Sequence, residues 1–232
     1  SNHVPLPEDH APQLRSDGGL VAEWVHAEQS VQRWADADAD GRVATVLRPA
    51  MVVGPGIDTE LTRHFEAPRV AVIDDDRPPW ALAHLDDVAE AAAFVVAHRA
   101  AGTFAVASPG LISQQQLLAA VGKRAVRVPS ALALGAMERL HRVGISAAPA
   151  DDLGYLRYPW VLDAQGLARL GWTPTFSTEA AMQALAEQIQ GRTTIVGRRV
   201  GRSEAASLGA AGAGLALLGA AAVVRARRQR GA

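Results

Sequence analysis

An α/β fold on a mostly parallel sheet is what this chain of 232 residues predicts. Three observations carry the reading. Short apolar runs alternate with stretches of helical period along most of the length, as strands alternating with helices would. "RVATVLRP" is β-branched and continuously apolar, the pattern of a strand buried on both faces. Ser and Gly punctuate the helical stretches as caps and terminators, and no internal repeat is present.

The elements follow in order. "LVAEWVHAEQSVQRWADAD" (Leu20 to Asp38) places Leu20, Trp24, Ala27, Val31 and Trp34 at helical spacing, which predicts one amphipathic helix with an apolar face. The strand "RVATVLRP" comes next and runs through a short apolar stretch into Gly54-Pro55-Gly56, and "RVAVID" (Arg69 to Asp74) is a second strand. In "WALAHLDDVAEAAAFVVAHRA" the period changes: a strand ends near His84, Asp86 is placed to cap, and a helix continues to about Arg99. "GTFAVAS" predicts a strand, "SQQQLLAAVG" a Ser-capped helix, "RAVRVP" a strand and "SALALGAMERLHRVG" a helix. "WVLDAQGLARLGW" reads as a short strand feeding a short helix closed by Gly171. "STEAAMQALAEQIQG" is a helix capped by Ser177 or Thr178 and ended at Gly191.

Composition narrows the function classes. Lys+Arg 23 against Asp+Glu 24 leaves no basic field for nucleic acid and no acidic tract. The absence of cysteine excludes disulfides, Cys-ligated zinc and thiol nucleophiles, and it suits a reducing, cytoplasmic setting. The 7 histidines are scattered without ligand spacing, so no metal site is expected. There is no P-loop, no G-x-S-x-G elbow and no H-E-x-x-H. The opening "SNHVPLPEDHAPQLRSDGG" lacks an initiator Met and the regions of a signal peptide, and reads as a loop inside a longer protein.

The tail differs in character. Residues 205–224 are uncharged for about the length that spans a bilayer, with "GRRVGR" before them and "RARRQR" after. One reading is a C-terminal transmembrane helix that anchors the protein, its Gly and Ala positions allowing close helix pairing. The other is a weakly apolar Ala/Gly segment that does not insert. The expected organisation is a domain over 1–190, a basic linker over 191–204, the apolar segment over 205–224 and a basic tail over 225–232.

"VLRPAMVVGPG", "AHLDDVAEAAAFVV" and "VLDAQGLARLGWTPTFSTEAAMQAL" occur in an order and at spacings that resemble the C-terminal half of extended short-chain dehydrogenases, the NAD-dependent epimerase/dehydratase family. "VPLPEDHAP" is similar to that family's Pro-rich loop before its catalytic helix, and "TFAVASPGLISQQQLLAAVG" to its strand-and-helix segment ahead of the substrate lobe. The resemblance covers about Val4 to Ile189. It implies the C-terminal part of a Rossmann-type doubly wound sheet with a small substrate lobe, and NAD or NADP as cofactor. It also implies that the first strands and the G-x-x-G-x-x-G phosphate loop fall outside this chain, leaving an exposed edge.

By that resemblance the turn after Arg48-Pro49 faces the nicotinamide end of the cofactor, with Pro49, Met51 and Val52 as candidate binding residues. A plain strand ending is the other reading. His84, Asp86 and Asp87 are candidates for substrate contact or for coupling the two lobes. The family's Y-x-x-x-K pair falls on Leu20 and Trp24 when Glu28 is matched to the helix's usual acidic residue, and neither can shuttle a proton. By the resemblance, the position of a diphosphate-binding arginine falls near Trp80, with Arg77 close by but separated by two prolines, which disfavours a nucleotide-sugar substrate. The expectations are therefore three. The protein is an oxidoreductase or epimerase acting on another small molecule with a substitute proton donor such as His26 or Tyr155, a catalytically degenerate dinucleotide-binding sensor or assembly subunit, or a membrane-tethered interaction protein. A homodimer is compatible with each.

Overall fold

A computed structural model describes residues 5–10, 20–37, 41–73, 79–129 and 161–192, with scattered positions within 133–139 and 194–199. The apolar segment 205–224, Arg77, Tyr155, Tyr158 and most of the helix expected from "SALALGAMERLHRVG" lie outside the described residues. Among the described residues no helix is long and apolar enough to cross a membrane.

The fold is α/β, and three of its four strand pairs among the described residues are parallel. Helix α1 (Leu20–Asp36) leads to β1 (Thr45–Pro49), which pairs with β5 (Gly102–Val106) from Thr45↔Gly102 to Pro49↔Val106. Ala50 N–H still donates to Val106 O at 2.9 Å. Ladder alternation therefore puts Pro49 on the other edge of β1, where its missing N–H costs no bond to β5. The chain then steps across, and β2 (Met51–Val53) pairs with β4 (Leu82–His84). Ser108 N–H, two residues past β5, donates to Leu82 O at 2.7 Å and links the two pairs.

Helix α2 (Glu60–Glu66) has no counterpart in the sequence reading; Thr59 starts it through a capping box with Thr62. β3 (Arg69–Ile73) pairs with β6 (Arg124–Val128). Helix α3 (Leu85–Ala97) follows β4 directly, and α4 (Gln114–Ala120) opens on a Ser113–Gln116 capping box. The short α5 (Gly166–Arg169) is followed at Gly171 by φ +98°, and α6 (Thr178–Ile189) is capped by Ser177. Two-residue strands β7 (Thr194–Ile195) and β8 (Arg198–Arg199) close an antiparallel pair.

Two apolar clusters hold these layers together. One gathers Met51, Val53, Phe65, Leu82, Leu117 and Leu185 where α2, α4 and α6 pack around β2 and β4. The other places Ala91, Val95, Val106 and Leu167 between α3, β5 and α5. The face of α1 corrects the periodicity argument: Ala22 and Val25 are the buried residues, while Trp24, Val31 and Trp34 are exposed. Glu28 turns to β1, where Arg48 donates to both of its carboxylate oxygens. β1 departs from expectation as well. Thr45 to Arg48 are half-buried and Pro49 is exposed, rather than sealed on both faces, and β5 is its one partner among the described residues.

Candidate functional site

α/β sheets place ligands at the carboxyl ends of their strands, and here that end is built around the exit of β1. Gly54 to Ile57 form a tight turn closed by Ile57 N–H donating to Gly54 O at 3.3 Å. Pro55 stands second and Gly56, with φ +80°, third, the residue pattern of a type II turn. Gly54 is required for a different reason. Its φ of +138° suits only glycine, and a Cβ there would stand 3.1 Å from Leu85 Cβ. The turn thus rests directly on the start of α3.

β2 presents its peptide groups unequally. Met51 N–H donates to Ala81 O at 3.3 Å, so the ladder already uses it, which removes Met51 as an amide donor to a ligand. Alternation along the strand turns the N–H and C=O of Val52 away from β4. Of the three candidates at this turn, Val52 keeps peptide groups off the ladder, and Pro49 shapes the exit.

The "HLDD" segment is resolved residue by residue. His84, not Asp86, caps α3: its Nδ1 accepts Asp86 N–H at 3.3 Å, which leaves the proton of a neutral ring on Nε2. Asp86 itself extends to solvent from the first turn. The His84 ring stacks on Phe176, centroids 3.7 Å apart and planes 13° from parallel, and its Nε2 lies beside Gly54. Asp87 is buried and accepts Thr175 N–H at 2.7 Å and Phe176 N–H at 3.2 Å. It ties the start of α3 to the segment that feeds α6.

Helix α1 overhangs the same end. Its last turn and the approach to β1 line one cavity, whereas Glu28 reaches Arg48 near the end of the strand, so the two run antiparallel. One turn before Glu28, about 6 Å further toward the exit, stands the exposed indole of Trp24. Leu20 opens the helix a further turn out. His26 is exposed on α1, and its carbonyl accepts the Ser30 hydroxyl.

Three polar groups of this region escaped the sequence reading. Arg48 donates to both carboxylate oxygens of Glu28 and to the carbonyls of Glu8 (3.0 Å) and His10 (2.8 Å). Glu8, itself buried, accepts Ala105 N–H at 3.2 Å and Gly166 N–H at 3.1 Å. Gln188 of α6 reaches the turn: its Oε1 accepts Gly54 N–H at 3.2 Å, and its Nε2 donates to Ile57 O at 2.7 Å. The signal for Gln188 was present, since it shares the helical stripe of Ala181, Leu185 and Ile189, where a polar residue is out of place.

Trp80 lies in the core. It is buried, its Nε1 donates to Gln114 Oε1, and Phe65 meets it edge-on at 5.4 Å. A cavity of about 470 Å³ does open in the structure, but at the amino end of β1, where Arg42 sits 4.7 Å over the Trp34 ring.

No family model matches the chain. Over 150 residues it is 28% identical to uncharacterized proteins of Mycobacterium bovis and Mycobacterium tuberculosis, a match that covers 64% of this chain and 39% of theirs. The chain thus spans well under half the length of the curated relatives it matches. Among solved structures it is similar to the UDP-glucose 4-epimerase of Bifidobacterium longum in complex with NAD+ and UDP, at 16% identity and TM-score 0.57, covering 81% of this chain and 59% of that one. The dTDP-glucose 4,6-dehydratase of Bacillus anthracis in complex with NAD follows at 12% identity and TM-score 0.53, covering 78% and 55%. RMD of Pseudomonas aeruginosa complexed with NADPH follows at 18% and TM-score 0.55, covering 82% and 61%. At such identities the likeness shows the fold, a Rossmann-like α/β architecture shared with nucleotide-sugar epimerases and dehydratases.

Proposed function

We propose that residues 1–190 form the C-terminal portion of an NAD(P)-binding protein of the epimerase/dehydratase type, acting on a small molecule other than a nucleotide sugar. The observation that carries this reading is the exit of β1. A turn seated on α3 and gripped by α6 lies where α/β sheets bind ligands, beside a Val52 peptide directed off the ladder. The solved structures of like fold hold NAD or NADPH, which supports the same cofactors here. No phosphate-binding loop is present in this sequence, so the residues available to a dinucleotide are those at its nicotinamide end. There the cofactor would supply hydride exchange. The chain's own residues would shape the exit (Pro49), hydrogen-bond the amide (Val52) and couple the lobes (His84, Asp86 and Asp87). The burial of Trp80 is in keeping with a substrate other than a nucleotide sugar, because an indole bonded into the core lies near where the resemblance would put a diphosphate-binding arginine.

A second reading has its own observation. Trp24 is exposed one helical turn before Glu28, where the resemblance expects lysine, and an indole N–H cannot lower a phenol's pKa. A dinucleotide-binding subunit without turnover fits that residue. Titrating the intact gene product with NADH and NADPH by fluorescence, then assaying carbonyl reduction, tests both readings. Binding with turnover supports the enzyme, binding without turnover supports the degenerate subunit, and no binding rejects both.

A further inference from the structure

Gln188 is a buried polar side chain on an otherwise apolar helical face, and both ends of its amide are spent on one turn. A buried amide is stable only when its donor and acceptor are both paired. Here the pairing partners are the first N–H and the last C=O of the Gly54–Ile57 turn, on top of the turn's own closing bond. The other end of α6 reaches the same place through Phe176, which stacks on His84 beside Gly54. Pro55 has no N–H, and the exposed Gly56 keeps its N–H outside this network.

We infer that Gln188 is a positioning residue for the nicotinamide end of the dinucleotide site. It locks the turn so that the Val52 peptide groups and Gly56 N–H stay oriented toward a ligand, and it makes the turn's geometry depend on α6. This rests on the dinucleotide reading above. It assigns a role to a helix that stands apart from the strand exit in the sequence. Its chemistry is specific: only a side chain with both an acceptor and a donor spans the turn, so glutamate keeps the Gly54 bond but sets a carboxylate against the Ile57 carbonyl.

The test compares Gln188→Glu with the unaltered protein, as intact gene product, for two probes. NADH carries the nicotinamide, and ADP-ribose is the same dinucleotide skeleton without the nicotinamide ring. The expected result is a roughly tenfold weaker NADH affinity with ADP-ribose affinity within about twofold, since the turn touches only one end of the ligand. Gly166→Ala is the control for general damage, because it disturbs the packing against Phe104 and Glu8, away from the turn, and should move the two probes together. Equal loss of both probes in Gln188→Glu, or no loss of either, overturns the positioning role and leaves the dinucleotide reading standing. Failure of the unaltered protein to bind either probe overturns both.

Discussion

Arg48 and Glu28 form a two-pronged ion pair across the helix–sheet boundary, Nε to Oε1 at 3.1 Å and Nη2 to Oε2 at 2.6 Å. The third nitrogen, Nη1, takes the carbonyls of Glu8 and His10, so one guanidinium ties α1, β1 and the Pro-rich loop together. Only a planar fork can serve all of these acceptors at once, which makes lysine a poor replacement. Arg48→Lys is expected to destabilise by about 1–2 kcal/mol, because an ammonium cannot reach all of these acceptors, and Arg48→Ala by about 3 kcal/mol, because it strands a partly buried carboxylate. Urea denaturation of both variants and of Glu28→Gln checks this. Equal stability for Lys and Arg would remove the fork argument.

Gly166 is a packing glycine. A Cβ there would stand 2.8 Å from the Phe104 ring and 2.9 Å from Glu8 Cδ. Gly166→Ala should therefore displace the Glu8 carboxylate from the Ala105 and Gly166 amides, at a cost of about 2–3 kcal/mol. Adding Glu8→Ala should cost much less in that background than alone, since the bonds it removes are already broken. A double-mutant cycle by thermal denaturation measures the coupling, and strict additivity would contradict it.

Asp87 takes two backbone amides that nothing else satisfies in the segment before α6. Asp87→Ala leaves Thr175 and Phe176 N–H unpaired under the His84 ring and should cost about 2–4 kcal/mol. Hydrogen exchange localises the effect: protection should fall first at the amides of residues 175 and 176 and at the start of α6. A loss spread evenly over β1 and β5 would argue against the local latch.

His64 predicts a pH dependence. Burial pushes its imidazole down to about 4, against the upward pull of a hydrogen bond to the Ala71 backbone. Its folded value lies below the unfolded 6.5, so the unfolded chain binds the proton first. Stability from this group is complete above pH 6.5 and is lost as pH falls through the window down to about 4. The residue keeps some solvent contact, so the slope is shallower than a sealed ring would give. His64→Asn should flatten the fall in Tm between pH 7.5 and 5. An unchanged slope would place the titrating group elsewhere.

Element type and order were legible in the residues: the strands at 45–49, 69–73, 82–84, 102–106 and 124–128, and the capped helices at Ser113 and Ser177, appear where local pattern puts them. These features are set by neighbours in sequence, through β-branching, period and capping hydroxyls, and a local pattern carries them without the rest of the molecule. Helix α2 was not read, although Thr59 and Thr62 mark its start, because it is only two turns long and weakly periodic.

What the tertiary structure alone decided was which face of each element found a partner. The indoles of Trp24 and Trp34 mark the apolar stripe of α1, yet Ala22 and Val25 are buried and Glu28 is held by Arg48 of β1. Asp86 and His84 are both able caps, and the stack on Phe176 sets the imidazole in place to do it. Gln188 and Glu8 meet partners 134 and 158 residues away, Gly54 and Gly166, whose hydrogen bonds exist only once the chain has closed. Periodicity is a property of one segment, whereas a buried polar contact is a property of two segments brought together. The sequence therefore determined the α/β frame and the strand exit, and folding chose the polar groups that hold that exit in shape.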